Sequence, residues 1–137
     1  MFDEIFMEMT EEVRKISGNP SFEYPKSYKD FLPCFLDAGK GSRDDSEWCV
    51  GTGRWYIHEE MLTYKRLGFI GVPIAFLRDS GVIAIISTDI SPDFESDHVF
   101  LLTPYNPYVT KEEIPILGDY TFEEFAEMAW NDVNPFD

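Results

Sequence analysis

Near the start of the chain, apolar side chains recur at steps of three and four: Phe2, Ile5, Phe6, Met9, Val13 and Ile16. That spacing gathers them on one face of an amphipathic helix, which Gly18-Asn19-Pro20 brings to an end. Pro25 opens a second helical pattern, with Tyr28, Phe31, Leu32, Phe35 and Leu36 sharing a face and Gly39 to Ser42 closing it. Pro33 lies inside this pattern, where it lacks an amide donor and meets the carbonyl of Lys29, so a kink or a split into two short turns is expected. Two short aromatic-rich runs follow, Glu47 to Val50 and Gly53 to His58, parted by Gly51-Thr52; they read as strands or irregular edges. His58 to Leu67 reads as a short helix ending at Gly68.

The pattern then changes to β-rich. Val72 to Leu77 and Val82 to Ser87 are joined by Arg78-Asp79-Ser80-Gly81, the composition of a hairpin turn in which Gly81 supplies the positive φ. Their near-continuous apolar character predicts two central strands. His98 to Thr103, bounded by Ser91-Pro92-Asp93 and by Pro104-Tyr105-Asn106-Pro107, predicts a further antiparallel strand beside the hairpin. Thr121-Phe122-Glu123-Glu124 satisfies the S/T-x-x-E capping box, and Phe125, Ala126, Ala129, Trp130 and Val133 follow on one face with Phe122. Helices at both ends of a block of strands, without regular β-α alternation, predict an α+β fold with a mostly antiparallel sheet in a single domain. A chain of 137 residues suits one core.

Composition agrees with a folded chain: 44% apolar, with twelve Phe, seven Tyr and three Trp, is too rich for a disordered acidic protein. Cys34 and Cys49 are too few for a disulfide scaffold, and large apolar neighbours at both predict inert, buried, reduced thiols. Met1-Phe2-Asp3-Glu4 shows no basic leader, and no run approaches the ~20 apolar residues of a membrane span, which predicts a cytoplasmic protein.

Charge changes the picture most. Residues 91–137 hold eleven carboxylates against one lysine, Lys111, while the rest of the chain is far closer to balance within a total of −15. Such a field repels nucleic acid and anionic lipid and speeds encounter with basic partners by roughly 10- to 1,000-fold where the charges converge. The densest cluster is Asp89, Asp93, Glu95 and Asp97, in a loop with Ser91 and Pro92. It fails the calcium-loop pattern, with no mid-loop glycine and no closing glutamate, so a solvated loop or a partner contact is the better reading. Glu123, Glu124 and Glu127 extend the acidic character along the last helix. Aromatic residues near strand ends, Trp48, Trp55, Tyr56, Tyr105 and Tyr108, ordinarily belong to core or rim; Tyr105 and Tyr108 would serve as interface anchors if exposed beside the acidic loop.

The chemistry of cofactors and metals finds little support. His58-Glu59-Glu60 lacks the second histidine of a zinc helix, with Leu62 standing at that position. Gly39-Lys40-Gly41-Ser42 lacks the upstream glycine of a phosphate loop, and Gly51-Thr52-Gly53 lacks the third glycine of a dinucleotide site. Neither cofactor nor metal is expected. The enzymatic alternative is a small hydrolase or transferase in which Cys34 or Cys49 meets His58 or His98, or in which a carboxylate acts alone.

The order of these motifs resembles a known family. Tyr24-Pro25-Lys26-Ser27-Tyr28-Lys29-Asp30-Phe31-Leu32, followed by Gly39, resembles the helix motif of the SUKH superfamily. Phe69 to Asp89 is similar to its paired strands, with Asp79-Ser80-Gly81 between two apolar runs and Asp89 as the acidic residue after them. His98-Val99-Phe100-Leu101-Leu102 resembles the next strand, and Thr121-Phe122-Glu123-Glu124-Phe125 the entry to the closing helix, so the likeness spans about residues 22 to 130. The superfamily includes bacterial immunity proteins, which bind and neutralise toxins, often nucleases, and fungal regulators of cell-wall glucan synthesis. The resemblance implies a non-enzymatic protein-binding domain, monomeric or homodimeric, with no catalytic residues to carry over. A nuclease toxin must be basic to hold phosphate, so an acidic inhibitor would be steered to that same surface. The expected partner is therefore a basic protein of the toxin class, with no nucleic acid and no membrane. A cell-wall regulatory or scaffold role is the alternative within the family.

Overall fold

Phe6, Met9, Val13 and Ile16 are buried along one face of α1 (Phe2–Ser17), as their spacing predicts. The computed structural model describes residues 2–41, 46–66, 71–78, 80–86, 98–103 and 116–136. After α1 come α2 (Lys26–Asp37), β1 (Trp48–Cys49), α3 (Arg54–Arg66), β2 (Val72–Leu77), β3 (Ile83–Ile86), β4 (His98–Leu102), β5 (Gly118–Thr121) and α4 (Phe122–Trp130). The strands form one sheet in the order β1-β2-β3-β4-β5, every neighbouring pair antiparallel. The fold is α+β, with helices at both ends of the chain. No helix among the described residues is long and apolar enough to cross a membrane.

The glycines at two turns do what only glycine does cheaply. Gly18 ends α1 at φ +75°, its amide donating to the Arg14 carbonyl at 3.0 Å. Gly81 holds φ +74° in the hairpin between β2 and β3, the positive value expected there. Those two strands occupy the interior of the sheet, as their apolar runs predict. Alternation along β3 and β4 sends Ala84, Ile86, Val99 and Leu101 into the main core and Ile83, Ile85, Phe100 and Leu102 into a second buried cluster with Phe76.

Three sequence expectations need correction. Gly53 to His58 is not a strand or edge: α3 starts at Arg54, because burying Ile57 and Met61 four residues apart outweighs the β preference of Trp55-Tyr56-Ile57. Pro33 does not split α2, which runs unbroken from Lys26 to Asp37. Its burial partners lie on both sides of the proline, Tyr28 and Leu32 before it and Phe35 after, so packing holds the helix together across one missing hydrogen bond. Cys34 is exposed, since the α2 face that carries Leu32 and Phe35 inward turns Cys34 outward; only Cys49 is the buried thiol expected of both.

Aromatic rings join the helices. Phe6 of α1 meets Tyr28 of α2 edge-on with centroids 5.9 Å apart, and Phe122 of α4 meets Tyr28 and Phe31 edge-on at 6.2 and 5.7 Å. Burial pushes the Tyr24 and Tyr28 phenols well above the usual tyrosine range, Tyr24 further through its phenolic neighbours Tyr28 and Tyr56. The Tyr24 hydroxyl is buried and has no hydrogen-bond partner among the described residues. Tyr24→Phe should therefore raise stability in urea by about 0.5–2 kcal/mol, because a buried donor without a partner is removed while the ring contacts stay. A loss of stability would show that the hydroxyl has a partner after all.

Candidate protein-binding surface

The closing helix is built from its first turn. The Thr121 hydroxyl accepts from the Glu124 amide at 3.1 Å, and Glu124 Oε1 accepts from the Thr121 amide at 3.0 Å, the reciprocal pair that the four-residue signature predicts. Phe122, Phe125 and Ala129 face the core, which leaves Glu123, Glu124 and Glu127 exposed. Steps of four and three place Glu123, Glu127 and Trp130 on one outward ridge.

The far end of α4 is fixed to the opposite edge of the sheet. Asp132 adopts φ +55° beyond the helix, and its carboxylate accepts from the Glu47 and Trp48 amides, each at 3.0 Å. Trp48 is fully buried, packs edge-on against Phe125 at 5.2 Å, and donates its indole N–H to the Val133 carbonyl at 2.7 Å. The turn at Asp132 carries the chain off the helical path, so Val133 does not share the buried face of Phe122, as its spacing suggested, but is 49% exposed. Trp130 departs from that expectation in the same way: it is 39% exposed, touching Phe35 at 6.3 Å on its inner side and lying under the Lys40 ammonium at 5.1 Å. Phe136 adds a further exposed ring. An acidic ridge thus runs into an apolar, aromatic end, the composition of an interface with a charged rim.

Of the residues singled out by sequence, Glu123, Glu124 and Glu127 lie together on this surface, with Glu124 already engaged in the cap. Asp89, Asp93, Glu95, Asp97, Tyr105 and Tyr108 lie outside the described residues. Trp130 and Asp132 are the additions made by the structure. The signal for Trp130 was its i+7 relation to Glu123, which places an aromatic at the end of an acidic stripe. Nothing local signals Asp132, whose partners are more than eighty residues away in the chain.

His58 Nδ1 lies 2.7 Å from Glu12 Oε1 between α3 and α1, and His98 Nδ1 lies 2.7 Å from Asp119 Oδ1 between β4 and β5. Cys34 is on the outer side of α2, and the Cys49 thiol sits 3.9 Å from the Ser46 carbonyl. No group of three or more metal-ligating side chains occurs among the described residues. A 580 Å³ groove beside α1 and α2 is lined by Glu11, Arg14, Glu23, Lys26 and Asp30 among others. Of these, Arg14 pairs with Glu23 at 3.5 Å, Lys26 with Asp30 at 3.2 Å, and Glu11 with Arg54 at 2.9 Å. Compared with protein-family models, curated proteins and solved structures, the chain matches none.

Proposed function

We propose that this chain is a non-enzymatic protein-binding domain of the immunity type, one that occludes a basic toxin through its acidic C-terminal surface. The observation that carries the reading is the ridge of α4, where exposed Glu123 and Glu127 form no ion pair with a described residue and lead directly to exposed Trp130. Uncompensated like charges on a rigid helix give long-range attraction for a basic partner, and an aromatic at the end of the ridge gives the desolvated contact that slows dissociation. The likeness of motif order to the SUKH superfamily supports the same reading, and the same surface would serve a cell-wall regulator with a different basic partner.

The test is a pull-down from the native host with tagged protein at low and moderate salt, run beside Glu123→Lys/Glu127→Lys. The wild type should retain one basic polypeptide that is released as salt rises. For the isolated pair, charge reversal should lower the association rate by about tenfold or more at low salt. Equal retention by the reversed protein at low salt would overturn α4 as the binding surface.

A further inference from the structure

The contact between Lys40 and Trp130 says more about the partner than net charge does. Lys40 follows α2, and its ammonium lies 5.1 Å from the centroid of the Trp130 ring. In a chain with 26 carboxylates, this lysine pairs with no described carboxylate and is held by an indole instead. An open cavity of about 160 Å³ adjoins the contact, bounded by Lys40, Trp130, Ser46 and Asp132 among others. The Asp132 carboxylate accepts from two backbone amides and keeps acceptor capacity beyond them. Glu127 stands one turn before Trp130 on the same ridge.

We propose that Lys40 is an internal stand-in for a cationic side chain of the partner, and that a partner arginine replaces it over Trp130. This rests on the protein-binding reading of the ridge. Lys40 is half-buried and Trp130 exposed, so their contact lies at the surface, where an ammonium over an indole is worth only about 0.5–1 kcal/mol and is cheaply displaced. A guanidinium is the better occupant: it is planar, more weakly hydrated than an ammonium, stacks on an aromatic face, and directs its N–H groups outward in its own plane. Over Trp130 those donors face the cavity that Asp132 bounds, with the ridge carboxylate Glu127 one helical turn away. Displaced Lys40 moves into solvent, so the site trades a weak internal cation for a stronger external one.

The experiment is titration of the ¹⁵N-labelled full chain with an N-acetylated, C-amidated tetra-arginine peptide, followed in every variant at the backbone amides of α4 and, where Trp130 is kept, at its indole N–H. Lys40→Ala should bind the peptide about two- to fivefold more tightly than wild type, the range set by release of one surface cation–π contact. Lys15→Ala, which removes an exposed cation of α1 far along the chain from the ridge, measures the effect of net charge alone and should give a smaller gain. In a Trp130→Leu background the extra gain from Lys40→Ala should vanish. Weaker binding by Lys40→Ala, or a gain no larger than that of Lys15→Ala, would overturn displacement and make Lys40 a support for Trp130. If Glu123→Gln/Glu127→Gln leaves peptide affinity unchanged, the ridge reading fails too, and the two failures are thereby told apart.

Discussion

Trp48→Ala should destabilise the fold by about 3–5 kcal/mol and free the end of α4, the largest single effect expected in this chain. Trp48 is fully buried, and its ring fills the space between β1 and Phe125 of α4. Alanine there leaves a cavity that Phe125, itself 1% exposed, cannot close without moving its helix. The same change removes the indole donor of the Val133 carbonyl, though Val133 is half-exposed and water can take over that bond. Trp48→Phe separates the terms: it keeps most of the ring and the edge-on contact, and should cost about 1–2 kcal/mol. Urea unfolding gives both values, and amide exchange gives their location. In Trp48→Ala the protection of α4 amides should fall more than that of β3 and β4. A loss under about 1 kcal/mol, with α4 exchange unchanged, would show that the helix is held by its own cap and the Tyr28-Phe31-Phe122 contacts alone.

The elements that sequence makes legible are those whose stabilisation is local. The capping box of α4 lies within four consecutive residues, and Thr121 and Glu124 perform the roles their types predict. The β2–β3 hairpin is equally self-contained, with its turn composition and the positive φ of Gly81 lying between two apolar runs. Elements that depend on a distant partner are the ones misread or passed over. The start of α3 looks like a strand until α1 is placed against it, and Gly118-Asp119-Tyr120-Thr121 carries no strand pattern until β4 offers Phe100, Val99 and His98 as pairing partners. Likewise, the exposure of Val133 follows from the turn at Asp132, which the amides of Glu47 and Trp48 hold in place. The site was legible as far as Glu123, Glu124 and Glu127, where helical period alone decides which side faces out.

Placement also refines what the acidic C-terminal third means. Three of its described carboxylates are occupied by structure: Asp119 by His98, Glu124 by the helix cap, Asp132 by two backbone amides. Such groups still contribute charge to the field, but their oxygens are held and their removal would report on folding before binding. Glu123 and Glu127 are different, since exposed side chains with no partner among the described residues can be changed at a cost usually within ~0.5 kcal/mol. They are therefore the positions at which a change in association can be read as electrostatics.

His58→Ala should cost about 2–4 kcal/mol through a residue it leaves behind. Glu12 lies on the buried side of α1, 6% exposed, and His58 Nδ1 at 2.7 Å is the partner of its carboxylate. The ring donates from Nδ1 to that oxygen whether it is neutral in the Nδ1–H tautomer or fully protonated, so the pair does not depend on a charged histidine. Truncating His58 strands a carboxylate between two helices, a loss of about 3–5 kcal/mol where no water reaches; the His58 side chain is 33% exposed, which lets some solvent in and lowers the figure. The neighbouring Arg54–Glu11 pair sets the contrast: at 2.9 Å it is as close, but both side chains are more than half exposed, and Arg54→Ala should cost under about 1 kcal/mol. Glu12→Gln/His58→Ala should then recover at least ~1 kcal/mol of what His58→Ala loses, because the stranded charge is gone. Equal losses in the single and double variants would place the cost elsewhere, in the stacking of Trp55 on the imidazole at 5.7 Å, and would make the α1–α3 seam an aromatic contact instead of a polar one.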